Sequence, residues 1–242
     1  MKSSALISEF QKAKNDDSLV IIEGVQALKH AVRFNAEIYK IITCDADMLR
    51  DLINELAPDV SETVLQKAET IDEDTFRQLS SRPIRTKTIT LAKKRIYKIA
   101  DIDASKPIVL LENPKDLDNV GAAVRVASAA DAGAVITVGE IDIWHPLALR
   151  GGAGLQYATP VFSFSTFDLG SFDRPVASMD PTGSPIEKRT LERSTVFIFG
   201  TERHGITADT LKKSDLILKL SMKPGVSSMN LATSVAATLY SR

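Results

Sequence analysis

Three short segments in the second half of the chain carry residue types that could do chemistry. The first, Asn119-Val-Gly-Ala-Ala-Val-Arg125, sets a single charge in a small apolar run from Val120 to Ala130. A buried guanidinium is costly unless it is paired or faces a polar cleft. Arg125 therefore either anchors to a carboxylate such as Glu112 or serves as an active-site cation for an anionic substrate. The second segment, Gly200-Thr-Glu-Arg-His-Gly205, holds Glu202 in a tight turn between two glycines. A phosphate-binding loop would need Lys-Ser/Thr after the last glycine, and Ile206-Thr207 stands there instead. The third, Leu220-Ser-Met-Lys-Pro-Gly-Val-Ser-Ser-Met-Asn230, joins a rigid turn to two hydroxyls. A helix cap would explain Ser227 or Ser228. It would not explain Asn230, placed in the first turn of the small apolar helix that follows.

Each segment sits where an apolar run gives way to a turn or a helix, the place where open α/β sheets form binding crevices. From Lys106 onward the runs Ile108–Leu111, Ala134–Val138, Val176–Ser178, Val196–Phe199 and Leu216–Leu220 are apolar on both faces, as in a covered parallel sheet. Helices are expected over roughly 120–131 and 229–241. Asp118 or Asn119 would cap the first, which is apolar all round and so expected to be buried. The second presents Met229, Leu231, Val235 and Leu239 on one face. No G-x-G-x-x-G follows Ile108–Leu111, which argues against a dinucleotide cofactor.

The first half reads as a small βαβ-type unit. Strands are expected at Leu19–Ile22, Ile38–Thr43 and Val64–Lys67. Helices are expected near Val25–Phe34, Ala46–Leu56 and Asp72–Leu79, with Thr88–Leu91 as an edge strand. The expectation is two α/β domains, 1–95 and 106–242, joined by a linker over 96–105. Strand order is not readable from pattern.

With 242 residues, 44 % of them hydrophobic, the chain can bury a real core, and its net charge of −1 gives no global basic field. A nucleic-acid partner would need a local patch. Residues 77–98 supply a candidate, with eight Lys and Arg and no acidic residue. Cys44 is the one cysteine and the three histidines are scattered, so no metal site is expected. The first residues lack the apolar core of a signal peptide and no run is long enough to span a bilayer, which points to a cytoplasmic protein without a membrane.

Together the three segments resemble the motifs of the SpoU/TrmH branch of the SPOUT RNA methyltransferases, which methylate a ribose 2′-hydroxyl. The resemblance covers residues 106–242, and Val20-Ile-Ile-Glu-Gly24 also looks like the family's L30e-like N-terminal domain. It implies an L30e-like RNA-binding domain followed by a parallel-sheet SPOUT domain with a trefoil knot. It further implies S-adenosyl-L-methionine as cofactor and a homodimer formed through the C-terminal domain. By matching position, Gly200, Leu220 and Met229, with Thr201, Gly205 and Met222 beside them, would hold the cofactor. Arg125, Asn119, Glu202, Ser228 and Asn230 would form the catalytic surround. In that setting Arg82, Arg85, Lys87, Lys93, Lys94 and Arg95 become candidates for phosphate contact. The implied substrate is a structured RNA, large-subunit rRNA ahead of tRNA, and the rival reading is a silent RNA-binding module of the same fold. Arg150-Gly-Gly-Ala-Gly154 resembles a further family segment. Ser221 stands for the family's proline, Met229 for its leucine, Ala232 for a frequent serine and Gly152 for the serine after Arg150.

Overall fold

Two sheets organise the chain in the computed structural model, which describes residues 2–241 except Arg189, Glu202, Arg203 and Ser227. Contacts divide it into one unit of Met1–Ile96 with Trp144–Ala158, and a second of Tyr97–Ile143 with Thr159–Arg242.

In the first unit, helix α1 (Lys2–Ala13), which the pattern did not announce, leads into β1 (Leu19–Glu23), α2 (Val25–Arg33), β2 (Ile38–Thr43) and α3 (Ala46–Leu56). The expected strand at Val64–Lys67 is instead the last turn of α4 (Pro58–Lys67). Pro58 suits a first helical turn, and Val60 and Val64, four apart, fall on one buried face. The short β3 (Ala68–Thr70) follows, then α5 (Glu73–Arg77) and β4 (Thr88–Lys93). The sheet order is β1-β4-β2-β3, so β4 is an inner strand rather than the expected edge, antiparallel to both neighbours. Both its faces are covered, and Thr88 to Ala92 are all buried. Ile42 packs with Phe10 and Phe76 on one face of this sheet, while Ile41 packs with Leu28, Leu49 and Val64 on the other.

Residues 144–158 belong to this unit, so the second domain expected over 106–242 gives up that stretch. Its helix α7 (Pro146–Gly151) and a short turn, Leu155–Tyr157, bury Trp144, Leu149 and Tyr157. The Tyr157 hydroxyl donates to the Lys93 carbonyl at 2.8 Å, and Nδ1 of His30 lies 2.7 Å from the Ala153 carbonyl. Gly154, at φ +75°, lies so close to α2 that a Cβ would stand 2.4 Å from the Ala27 carbonyl oxygen.

The second unit holds β5 (Ile108–Glu112), α6 (Leu117–Ala129), β6 (Ala134–Val138), β7 (Val161–Phe164), β8 (Val176–Pro185), β9 (Val196–Phe199), α8 (Ala208–Lys213), β10 (Leu216–Lys219) and α9 (Leu231–Tyr240). The strands form one parallel sheet in the order β10-β8-β9-β5-β6-β7. β8 outruns the expected Val176–Ser178, because residues 179–183 bulge out of its pairing with β10 and the ladder resumes at Ser184.

Both helix caps differ from expectation. Asp116, not Asp118 or Asn119, caps α6 by accepting from the Asn119 N–H at 2.7 Å. Asn230 itself caps α9, accepting from the Ala232 N–H at 2.9 Å. Nor is α6 buried all round. Val120, Ala123, Val124 and Ala127 are buried, but Asp118, Ala122, Arg125 and Ala129, at helical spacing, form a stripe open to solvent. Alanine is compatible with either side, so apolar composition alone does not mark a buried helix. No helix among the described residues is long and apolar enough to cross a membrane.

Candidate active site

β8, β9 and β10 lie near one another in the sheet and run the same way, so their carboxyl ends open on one side. A cavity of about 230 Å³ lies there. From the loop after β9 come Gly200, Thr201 and Gly205; from the chain after β10 come Leu220, Met222, Ser228 and Met229. These are all six positions expected to hold a cofactor, together with one of the expected catalytic surround. Residues beyond the expectation also line it, among them Met179, Asp180 and Pro181 from the bulge in β8 and Ser234 from α9. Asp180-Pro181-Thr182-Gly183 follows an apolar strand as the other segments do, a signal present in the sequence.

The loop after β9 closes on itself. Thr201 and Gly205 exchange backbone hydrogen bonds at 3.2 and 2.9 Å, and the Thr201 hydroxyl accepts from the His204 N–H at 3.0 Å. A Cβ on Gly200 would fall 2.1 Å from the Gly205 carbonyl carbon, and Gly205 stands at φ +65°. Both glycines are required by the turn. A Cβ on Gly205 would meet only Asp180 Oδ2, 3.9 Å away, so the space above that glycine is open. The other Asp180 oxygen is taken by the Thr182 N–H and hydroxyl, at 2.9 and 2.6 Å. Glu202, the expected carboxylate of this loop, lies outside the described residues.

The Asn230 side chain serves two partners. Its Oδ1 caps α9, and its Nδ2 donates to Asn119 Oδ1 at 2.9 Å, which joins the first segment to the third and fixes the orientation of both amides. Arg125 is exposed on the open stripe of α6 and makes no ion pair with a described residue. The anchor considered for it is occupied. Glu112, only 8 % exposed, accepts instead from the Thr207 N–H and hydroxyl, both at 2.8 Å, and from the Thr210 hydroxyl.

The basic segment of the first unit is largely engaged. Arg95 donates to the Tyr157 carbonyl at 2.6 Å, the Asn35 carbonyl at 3.0 Å and the Phe34 carbonyl. It is a clamp between backbone segments. Arg82 is paired with the half-buried Glu23 carboxylate, Lys87 with Asp45 at 3.3 Å and Lys93 with Glu37 at 3.2 Å. The Met48 N–H and Lys87 hold the Asp45 carboxyl below its usual value, and the Tyr39 hydroxyl and Lys93 do the same for Glu37. Lys94 is half-buried, its N–H donating to the Ser18 carbonyl at 2.8 Å. Arg85 is exposed, with no ion pair to a described residue. Arg150 lies exposed on α7 in the same unit. Beside it a Cβ at Gly152 would stand 2.7 Å from Oε1 at the end of the buried Gln156 side chain, so a serine there would require that amide to shift.

The description SpoU rRNA Methylase family matches residues 106–240, and the chain belongs to that family of methyltransferases. It is 22 % identical over 236 residues to the 23S rRNA (guanosine(2553)-2′-O)-methyltransferase RlmP of Bacillus subtilis, covering 95 % of this chain and 90 % of the relative. It is also 22 % identical to the tRNA (guanosine(18)-2′-O)-methyltransferase of Borreliella burgdorferi, over 71 % of this chain and 80 % of that one. Among solved structures, the SpoU methyltransferase AviRb from Streptomyces viridochromogenes, in complex with AdoMet, superposes with a TM-score of 0.78 at 17 % identity, covering 98 % of this chain and 96 % of that one.

Proposed function

We propose that this chain is a cytoplasmic enzyme that methylates the ribose 2′-hydroxyl of a structured RNA, large-subunit rRNA ahead of tRNA, with S-adenosylmethionine as donor. One observation carries the reading: residues from three separate segments converge on one cavity at the carboxyl ends of β8, β9 and β10. The donor set fits an adenosyl sulfonium. Thioether and aliphatic groups of Met179, Leu220, Met222, Met229 and Leu231 form apolar walls, with Asp180, Thr201 and Ser228 as polar points. The opening above Gly205 is a cradle that any side chain would narrow. The bound cofactor supplies an electrophilic methyl group.

The chain's own residues then have to position a weakly acidic hydroxyl, and positioning dominates such a reaction. A guanidinium stays protonated at ordinary pH, so Arg125 is not a literal base. It holds the target phosphate and stabilises the alkoxide that develops on the ribose oxygen. Asn119 and Asn230, locked together, orient the ribose with Ser228, and Glu202 belongs to the same catalytic surround. The rRNA preference draws support from the rRNA-modifying relative, which aligns along nearly the whole chain. The L30e-like character of the N-terminal domain (1–95), with RNA contact through Arg85 and Lys93, belongs to the same reading.

A homodimer through α6 and α9 is part of this proposal as well. Its support is the open stripe on α6 and the exposure of Tyr240 on α9, 67 % in the single chain. So is a trefoil knot, which the motif resemblance implies. Nucleoside mass spectrometry of rRNA and tRNA from a deletion strain tests the activity. Loss of a 2′-O-methylated nucleoside from rRNA is expected; loss from tRNA alone would move the substrate, and no loss would favour the silent module. Sedimentation as a stable micromolar monomer would remove the dimer.

A further inference from the structure

Glu112 ends β5, away from the cavity lining, and is a buried carboxylate to which the chemistry above assigns nothing. Its two oxygens are filled from one direction. Oε2 accepts from the Thr207 N–H, and Oε1 accepts from the hydroxyls of Thr207 and Thr210. Thr207 in turn caps α8 and follows directly on Gly205-Ile206, the end of the closed loop after β9. That loop has little slack, because Thr201 and Gly205 are bonded to each other in both directions and Gly200 already touches Gly205. Its entry is fixed by β9 and its exit by Ile206, buried in the core, and Thr207. Thr201 and Gly205, bonded to each other and held on either side, move together. Where Thr207 stands determines where Gly205 presents its open side to the cavity.

We propose that Glu112 is a positioning residue for the cofactor wall, holding Gly200, Thr201 and Gly205 in register with the ends of β8 and β10 through Thr207 and Thr210. The inference rests on the cavity being the S-adenosylmethionine site. Hydrogen bonds to a buried charged group are among the stronger ones, and removing their acceptor leaves donors unsatisfied. The strand that carries Glu112 also leads into Asn119. The same side chain therefore ties the segment bearing the ribose-orienting amide to the loop that walls the cofactor.

The test uses the full-length protein and four chains: wild type, Thr210→Ala, Glu112→Gln and Glu112→Ala. S-adenosylhomocysteine is titrated calorimetrically well below each unfolding temperature, and amide exchange at Thr201, Gly205 and Thr207 is followed without ligand. Glu112→Ala should bind at least about tenfold more weakly, and Thr210→Ala, which removes one of three anchors, about threefold. Glu112→Gln keeps the shape, an acceptor for the Thr207 N–H and a partner for the rotatable hydroxyls, so it should recover most of the affinity. Exchange at Thr201 and Gly205 should quicken in the order Gln, Thr210→Ala, Glu112→Ala. A merely structural role would lower the unfolding temperature and leave affinity and exchange at these amides unchanged, which would overturn the proposal. So would a Gln variant as weak as Ala, which would make the charge, not the geometry, responsible. If Glu112→Ala does not fold, the other two variants decide. Wild-type protein that binds no ligand would sink the cofactor reading instead, and the exchange arm would still decide whether Glu112 holds these residues.

Discussion

In the first unit Arg82, Lys87, Lys93 and Arg95 meet carboxylates or carbonyls brought from elsewhere in the chain: Glu23, Asp45 and Glu37, and the backbone at Phe34 and Tyr157. In the second unit Arg125 has no ion pair with a described residue, and polar groups from three loops face one cavity. Compensated charge fixes a fold. Charge left open on a folded surface is what a ligand can use. A sequence shows both only as letters, and the distinction is made by where the partners come from.

The largest effect that sharpens this contrast is expected from Arg125→Ala. Turnover should fall by roughly 10²–10³, as when one group stabilising a developing oxyanion is removed. Cofactor affinity and unfolding temperature should stay near wild type, because nothing described depends on this side chain. Methyl incorporation into RNA, read beside calorimetry, checks it; a large drop in stability would show that Arg125 is structural after all.

Arg95→Ala should do the opposite. It removes a guanidinium bonded to three carbonyls and should destabilise the first unit by about 3 kcal/mol, each such bond contributing about 1.5 kcal/mol or somewhat less at this partial exposure. Urea unfolding followed by the fluorescence of Trp144 measures it, that residue being the chain's one tryptophan and buried in this unit. Unchanged stability would break the comparison from the other side.

Gly205→Ala tests the turn with a smaller perturbation. The space above Gly205 is open, so the expected cost, about 1 kcal/mol, comes from the left-handed backbone alone. Cofactor affinity should fall with it. Smaller still, Arg85→Ala should leave stability within about 0.5 kcal/mol and reduce the salt slope of RNA binding by roughly 1. An unchanged slope over several salt concentrations would remove Arg85 from the RNA footprint.

On the acid side the pH dependence of the first unit should be slight and of fixed sign. Glu37, Asp45, Asp59 and Asp72 all hold their protons less tightly in the fold. The causes are, in turn, the Tyr39 hydroxyl, the Met48 N–H, Arg33 and the Thr75 N–H. Groups lowered in this way stabilise the fold fully above their unfolded values, near 4, and lose that contribution as pH falls through the folded ones. Urea midpoints reported by Trp144 should therefore be flat from about pH 5 to about pH 8 and drop below about pH 4. A midpoint that rises on acidification would contradict the sign.

Much of the second unit was legible because a covered parallel strand must be apolar on both faces, so Ile108–Leu111 and Val196–Phe199 read as continuous runs. The loops after β9 and β10 were legible for a related reason, since glycine, proline and asparagine at strand ends have few structural uses; the same signal at Asp180–Gly183 was overlooked. The failures share a cause as well. β4 reads as an edge strand because its threonines look polar, yet Thr88 and Thr90 are buried between β1 and β2. The helix α6 reads as fully buried because alanine has no preferred side. Arg82 and Arg95 read as a patch because their partners, Glu23 and the Tyr157 carbonyl, lie some sixty residues away. Pattern reports what a segment can do locally, and all of these were decided at long range.

The passage of residues 144–158 into the first unit makes the two units interleaved along the chain. The polypeptide crosses from one to the other at 96/97, returns at 143/144 and leaves again at 158/159. During synthesis, then, the first unit cannot be finished when its own sheet has emerged. The notch that Gly154 fills against α2 stays empty until some sixty further residues have followed, including β5, α6 and β6 of the other unit. A gene fragment stopping at residue 96 would encode a sheet without its last wall, and a fusion or exchange of halves at that point would sever a unit rather than separate two.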